Sequence, residues 1–184
     1  MLVVMGIIAL ALGFLIPALG TGAGRALEGD ARQFTAALEN ARQIAIAERT
    51  RTRVLTPISQ ESPPLAENLP LRAYTVASLD RTTGIWKQRA KWNRLSQSVA
   101  FNKNVGYLKD PVPEETKLSG AIKYTGPYIE FHVNGSTSLD PATPAQLIEL
   151  ADAIADNAGT FRAKNASLRL QVTIDPLTGS AIMK

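Results

Sequence analysis

The chain has 184 residues, 45% of them hydrophobic and 20% charged, with a formal net charge of +4, enough chain for one domain with its own core. It has no cysteine and a single histidine, which excludes disulfide scaffolds, thiolate metal sites and cysteine nucleophiles and leaves little for zinc or triad chemistry.

These averages combine two unlike segments. Residues 1–24 contain no Asp, Glu, Lys, Arg or His, so all 20 basic and 16 acidic residues fall in the remainder. Met1–Leu19 (MLVVMGIIALALGFLIPAL) is apolar at 16 of its 19 positions, the exceptions being Gly6, Gly13 and Pro17. A bilayer core is crossed by about 20 such residues in a helix, and Pro17 predicts a kink because the carbonyl near Gly13 loses its partner. Two readings stand side by side, a membrane anchor and a cleaved signal peptide. The length of the run and the lack of a preceding basic region favour the anchor, while the small residues Ala18, Gly20, Gly22 and Ala23 suit a cleavage site. Arg25 and Arg32 follow the segment and no cation precedes it, so charge bias alone would place the C-terminal part in the cytoplasm unless basic residues precede Met1.

After a predicted glycine-rich break at Gly20–Gly24, residues 25–54 read as the amphipathic continuation of the helix. Leu27, Ala31, Phe34, Leu38, Ala41 and Ala45 recur at alternating spacings of three and four, a single apolar stripe that predicts packing onto a sheet. Beyond it, residues 55–184 read as a β-rich head. Ser59–Pro70 is a Pro-rich loop, and strands are expected at Arg72–Leu79, Ile85–Trp92, Val99–Phe101, Tyr128–Val133, Leu168–Ile174 and Ser180–Met183. Asp80–Gly84 and Asp175–Gly179 share one turn pattern, in which Asp bonds its own backbone and Gly supplies positive φ, so both predict tight hairpins. Residues 102–126 read as an irregular excursion. Thr143–Asn157 reads as a second helix, with Thr143 as its cap, Pro144 at the first helical position and Leu147, Leu150, Ala151 and Ile154 on its apolar face. The fold class is therefore α+β, a long N-terminal helix packed on an antiparallel sheet.

Chemistry-bearing constellations are sparse. Residues 81–109 hold seven basic residues and no acid, and residues 124–161 hold five acids and no Lys or Arg. Alternation along a strand would align Lys87, Arg89 and Lys91 on one face, a polyanion contact in the sharper reading and a solvated sheet face in the plainer one. Glu130 and His132 share a strand face without a third partner, and no glycine-rich phosphate loop or nucleophile elbow is present. No enzymatic activity, cofactor or metal is expected.

The N-terminal residues, with Val-Val-Met-Gly-Ile-Ile at positions 3–8 and Ile-Pro at 16–17, resemble the N-terminal segment of type IV pilins and type II secretion pseudopilins. The stretch from Ala41 to Val54 resembles the H-type minor pseudopilins. The resemblance covers residues 1–54. It implies a structural subunit held in the inner membrane by one pass, with the C-terminal head in the periplasm, whose partners are other pilin or pseudopilin subunits and the lipid bilayer. The membrane and filament helix would use Leu2, Val3, Val4, Met5, Gly6, Ile7, Ile8, Leu10, Leu12, Phe14, Ile16 and Pro17. A prepilin peptidase would act if a leader precedes Met1, and the new N-terminus would be methylated. The alternatives are a DNA-binding minor pilin for DNA uptake, although nucleic acid is not the expected partner, and a secreted soluble domain with a signal peptide.

The family carries a Gly-Phe-Thr-Leu-Ile-Glu type stretch just upstream of the apolar run, and this sequence starts where that stretch would be ending. The expectation is that the codons before Met1 encode it together with a basic leader. Mass spectrometry of the native protein checks this, and a mature chain that begins at Met1 counts against it.

Overall fold

A computed structural model of the chain describes residues 22–58, 70–108, 115–119, 122–139, 146–156 and 158–184. The apolar segment Met1–Leu19, with all its filament and membrane residues, lies outside them, as does most of the Pro-rich loop. Among the described residues no helix is long and apolar enough to cross a membrane.

The helix α1 runs from Gly22 to Ala47. Gly22 and Gly24 are helical, so the predicted break does not include them. The helix also ends seven residues before Val54, where the sequence reading had carried it. Its end is a Schellman turn: the Thr50 N–H donates to the Ala45 carbonyl at 3.2 Å and the Arg49 N–H to the Ile46 carbonyl at 3.4 Å. Arg49 occupies the left-handed position, with φ 51°, where glycine is the usual residue. The Thr52 hydroxyl then donates to the Ala41 carbonyl at 2.7 Å, turning the chain directly into a strand beneath the helix.

That strand, β1 (Thr52–Leu55), is followed by β2 (Ala73–Leu79), β3 (Trp86–Gln88), β4 (Asn93–Arg94), β5 (Val99–Phe101), β6 (Glu115–Leu118), β7 (Ile122–Thr125), β8 (Tyr128–Phe131), β9 (Gln146–Ala155), β10 (Phe161–Ala163), β11 (Arg169–Ile174) and β12 (Ala181–Met183). The first sheet has the order β7-β6-β3-β2-β1-β8, with β4 also pairing β2. All its pairings are antiparallel except β3 with β6. In the second sheet β9 pairs with β5, β10 and β11, and β12 lies beyond β11. The architecture is α+β, as the sequence implies.

Three further expectations about elements fail. The stretch read as a second helix is strand β9 from Gln146 to Ala155. Its Leu/Ile/Ala run fits a helical face, but Ile148, Glu149, Leu150, Ala151, Asp152 and Ala153 are all buried, and pairing on both edges suits a run covered on both faces. Within the supposed irregular excursion, β6 and β7 form a hairpin in which Thr116 and Leu118 point inward while Glu115 and Lys117 face solvent. The expected strand Ile85–Trp92 is interrupted after Gln88. The register of β2 against β3 and then β4 jumps by two residues there, and the Ala90 carbonyl accepts instead from the Thr75 hydroxyl and the Gln88 amide.

The main core lies where both sheets wrap α1. Leu27, Ala31, Phe34, Leu38, Ala41 and Ala45 are all buried there. Phe34 meets Tyr74 of β2 at 5.1 Å and Phe101 of β5 at 5.0 Å, both edge-on, so one aromatic cluster joins the helix to both sheets. Backbone bonds close the trough at its sides, from Phe101 to Leu71 and from Thr137 to Pro176. Asp30 accepts from the Ser96 N–H at 2.7 Å and lies near Tyr74. Burial first, and the Asp30 charge second, push the Tyr74 hydroxyl up to about 12.

Both predicted Asp–Gly turns form. Asp80 accepts from the N–H groups of Thr82 and Thr83, Asp175 from those of Leu177 and Thr178, and Gly84 and Gly179 take φ 70° and 68°. The Lys87 hydrogen bond, then that of the Thr82 amide, hold the Asp80 carboxyl down at about 2, so its contribution is full above the ordinary carboxylate range and is lost progressively as pH falls from there through about 2.

Arg49→Gly removes the side chain from a left-handed cap and is expected to raise stability by about 1 kcal/mol. The measurement is the shift in the denaturant midpoint at unchanged slope.

Candidate assembly surfaces

A side chain free to meet a partner must first be free of the fold. The helix offers such a surface. With its apolar stripe buried, α1 turns Gly29, Gln33, Ala36, Asn40, Gln43 and Ala47 to solvent, spaced four and three apart along one ridge. None of the six is charged. The charges beside the ridge are paired along the helix, Arg32 with Glu28 at 2.5 Å and Arg42 with Glu39 at 3.4 Å. Glu39 also accepts the outward-facing N–H of Ala181 at 2.8 Å, so the β12 edge is stopped by a helix side chain.

Edge strand β8 is closed by a different device. The Tyr107 hydroxyl donates to the Tyr128 carbonyl and accepts its N–H, taking the place of a neighbouring strand. The returning chain adds Ser138 N–H to the Glu130 carbonyl and His132 N–H to Ser136. Strand β7 exposes Lys123 and β10 exposes Arg162, charges that oppose edge-to-edge pairing.

Lys87, Arg89 and Lys91 do not form a free cationic strip. Lys87 pairs with Asp80 at 2.7 Å. Arg89 donates to the Ser78 hydroxyl at 2.6 Å and pairs with Glu48 of the helix end. Lys91 lies past the break in the strand and is exposed. Trp86 is buried, and Trp92 packs against the same small cluster.

Of the acids of residues 124–161, Glu130, Glu149 and Asp152 are buried, Asp156 is exposed, and Asp140 lies outside the described residues. Glu149 accepts from Asn102 at 2.8 Å and from Gln171 at 3.4 Å, in a row across β5, β9 and β11. Asp156 is held below the usual carboxylate range by the amide and hydroxyl of Thr160, and then by the Ala158 amide.

Glu130 faces Arg53 directly across β1 and β8. The Arg53 Nε donates to it at 2.6 Å, and both side chains are only 5% exposed. The Arg53 guanidinium lies 4.3 Å from the Trp86 ring centre and 3.8 Å from that of Tyr128, and also donates to the Thr116 hydroxyl at 2.6 Å. Half-exposed Arg51 adds a contact to Glu130 at 3.1 Å. His132 stands 3.9 Å from the same carboxylate, so the pair noticed in the sequence sits beside an ion pair that arginines already satisfy. The sequence gives no sign of this network, because β1 was read as helix.

No family model matches the chain, and no curated protein matches it. Among solved structures it is similar to the minor pseudopilin EpsH from the type 2 secretion system of Vibrio cholerae, at 12% identity and a TM-score of 0.52 over 86% of this chain and 95% of that one. The chain has a minor-pseudopilin fold. A second EpsH structure matches at 13% identity and 0.48, covering 86% and 93% of the two chains. The type IV minor pilin FimU of Pseudomonas aeruginosa matches at 14% identity and 0.38, covering 78% and 91%.

Glu130→Ala strands the buried Arg53 charge and is expected to cost about 3–5 kcal/mol. The double change Arg53→Met with Glu130→Leu should recover most of that loss. Denaturant unfolding of the single and double variants tests the coupling.

Proposed function

We propose that this chain is a pilin-like structural subunit that assembles with other such subunits through the helical N-terminal region into a short envelope filament of a type II secretion or type IV pilus-like system. The uncharged outward ridge of α1 carries the reading. A solvent-facing helix ordinarily shows charge along its exposed face. This one shows Gly, Ala and amide residues from Gly29 to Ala47, beyond the exposed Arg25 that follows the charge-free apolar segment in the sequence. Small residues permit close helix approach, and amides add hydrogen bonds without the desolvation cost of ions.

On this reading Met1–Leu19 holds the subunit in the inner membrane before assembly, with the head in the periplasm. Leaving lipid becomes favourable when many copies bury one another's apolar segments. A prepilin peptidase would process a leader, and methylation would follow. The role is mechanical, and no catalysis is assigned. Nucleic acid gains no support, because Lys87 and Arg89 already hold acidic partners.

Ala36→Glu places a charge on the ridge without touching the core. It is expected to lower recovery of the subunit in the assembled membrane or filament fraction roughly tenfold or more, a loss of about 1.4 kcal/mol per decade, at an unchanged thermal midpoint. Ala36→Ser should behave as the parent. Normal assembly of the Glu variant would defeat the reading.

A further inference from the structure

Exposed cations without partners gather at one end of the head. Arg25, in the first turn of α1, and Arg162 and Lys164, on and just after β10, are all exposed. Among the described residues none of these three side chains makes an ion pair or a hydrogen bond. Backbone pairing carries β10 to the same end as Arg25. Phe101 of β5 meets Phe34 of the helix, and Ser96, earlier in the chain, donates to Asp30, one helical turn nearer Gly22. Strand β9 runs in that same sense. Leu150 lies opposite Phe101 and Asp152 opposite Val99, and the Ala153 N–H donates to the Ser98 carbonyl at 2.9 Å. Its last residues, Ala153 to Ala155, then hold β10.

The acids of this end are withdrawn from the surface or already engaged. Asp30 and Asp152 are each only 8% exposed. Exposed Glu28 is paired with Arg32 at 2.5 Å, and the exposed Asp156 carboxylate accepts from the amides of Ala158 and Thr160. Ile154, 49% exposed, stands directly opposite Arg162 across β9 and β10. An exposed apolar side chain beside unpaired cations is a composition that settles where anionic headgroups meet acyl chains.

We propose that this end of the head rests on a bilayer surface of anionic phospholipid, with Arg25, Arg162 and Lys164 facing the phosphates and Ile154 entering the interface. The contact rests on the reading of Met1–Leu19 as the membrane segment, and adds to it a second attachment made by the folded head. Two observations select this occupant. The first is where the chain leads. Gly22 follows Leu19 by three residues, which span at most about 11 Å when fully extended, and a headgroup layer is about 5–8 Å deep. A segment buried in lipid therefore keeps this end of the head beside the headgroups. The second is complementarity: phosphates supply the negative charge that the buried acids withhold, within the screening length over which cations near a membrane are attracted.

The chain has no cysteine, so a single Ile154→Cys carries one dye on an exposed position. Leu177→Cys, on the exposed turn that meets Arg42 farther along α1, is the control. Full-length chains are reconstituted in phosphatidylcholine vesicles with and without phosphatidylglycerol, each containing a quencher held at headgroup level. With phosphatidylglycerol present, quenching at position 154 is expected to exceed that at 177 roughly fivefold or more. It should fall to the control level in phosphatidylcholine alone, and in about 1 M salt, where the screening length is about 3 Å. The combined Arg25→Gln, Arg162→Gln and Lys164→Gln variant should show the same fall at an unchanged thermal midpoint. If the chain floats with both kinds of vesicle and position 154 is quenched no more than 177, the membrane segment stands and the head contact is overturned. Equal quenching at 154 in neutral and anionic vesicles overturns the choice of anionic lipid. A chain that floats with neither defeats both ideas.

Discussion

Phe34 is the point on which the two halves of the head depend. Its ring meets Tyr74 from the first sheet and Phe101 from the second, and those two rings lie 6.4 Å apart. Edge-on aromatic contacts of this kind add to the large area each ring buries. The sheets share no continuous strand pairing, so without the helix side chain between them their inner faces would lack a common surface. The neighbouring Ala31, Ala41 and Ala45 are small for a complementary reason: they let the helix backbone approach closely enough for the Thr52 hydroxyl to reach the Ala41 carbonyl. Helix, turn and central strand are therefore one packing unit.

On the far side of the first sheet the same strand solves a different problem. Arg53 points away from the helix into a second, smaller cluster of Leu55, Ala77, Trp86, Leu118, Tyr124 and Tyr128. Burying a guanidinium costs several kcal/mol unless its donors and faces are satisfied. Here Glu130 and Thr116 take donors while Trp86 and Tyr128 cover faces, and cation–π contacts strengthen when desolvated. The β6–β7 hairpin supplies Thr116, which explains why a hairpin of modest hydrophobicity curls over this face. The ion pair also fixes register. A slip of β8 by one residue would turn Glu130 toward the helix and Ile129 toward the guanidinium.

What the sequence reveals follows from how local each cause is. The α1 stripe was legible because one face of one helix is a periodic signal, and the Asp–Gly turns because a single residue pair encodes them. The end of the helix was hidden, since its left-handed cap is Arg49 and no Gly or Pro marks it. That concealed β1, the central strand, and with it Arg53. Strand β9 was misread because a run buried on both faces satisfies a helical period as well as a strand's, and its partners lie far away along the chain. The Tyr107 closure of β8 and the Glu39 closure of β12 left no trace, being contacts over 21 and 142 residues.

The placement of charge ties fold to assembly. Among the described residues four acids are buried, Asp30, Glu130, Glu149 and Asp152, against one base, Arg53. The chain's net charge of +4 thus understates the positive character of the exposed surface formed by those residues. Like heads that approach at random meet with repulsion, which is screened only beyond about 8–10 Å at ordinary salt. Contact is least opposed where exposed charge is missing, along the ridge from Gly29 to Ala47. Burying acids within the head therefore does two things at once: it satisfies the buried arginine and the amides inside, and it leaves a cationic exterior interrupted mainly along the α1 ridge.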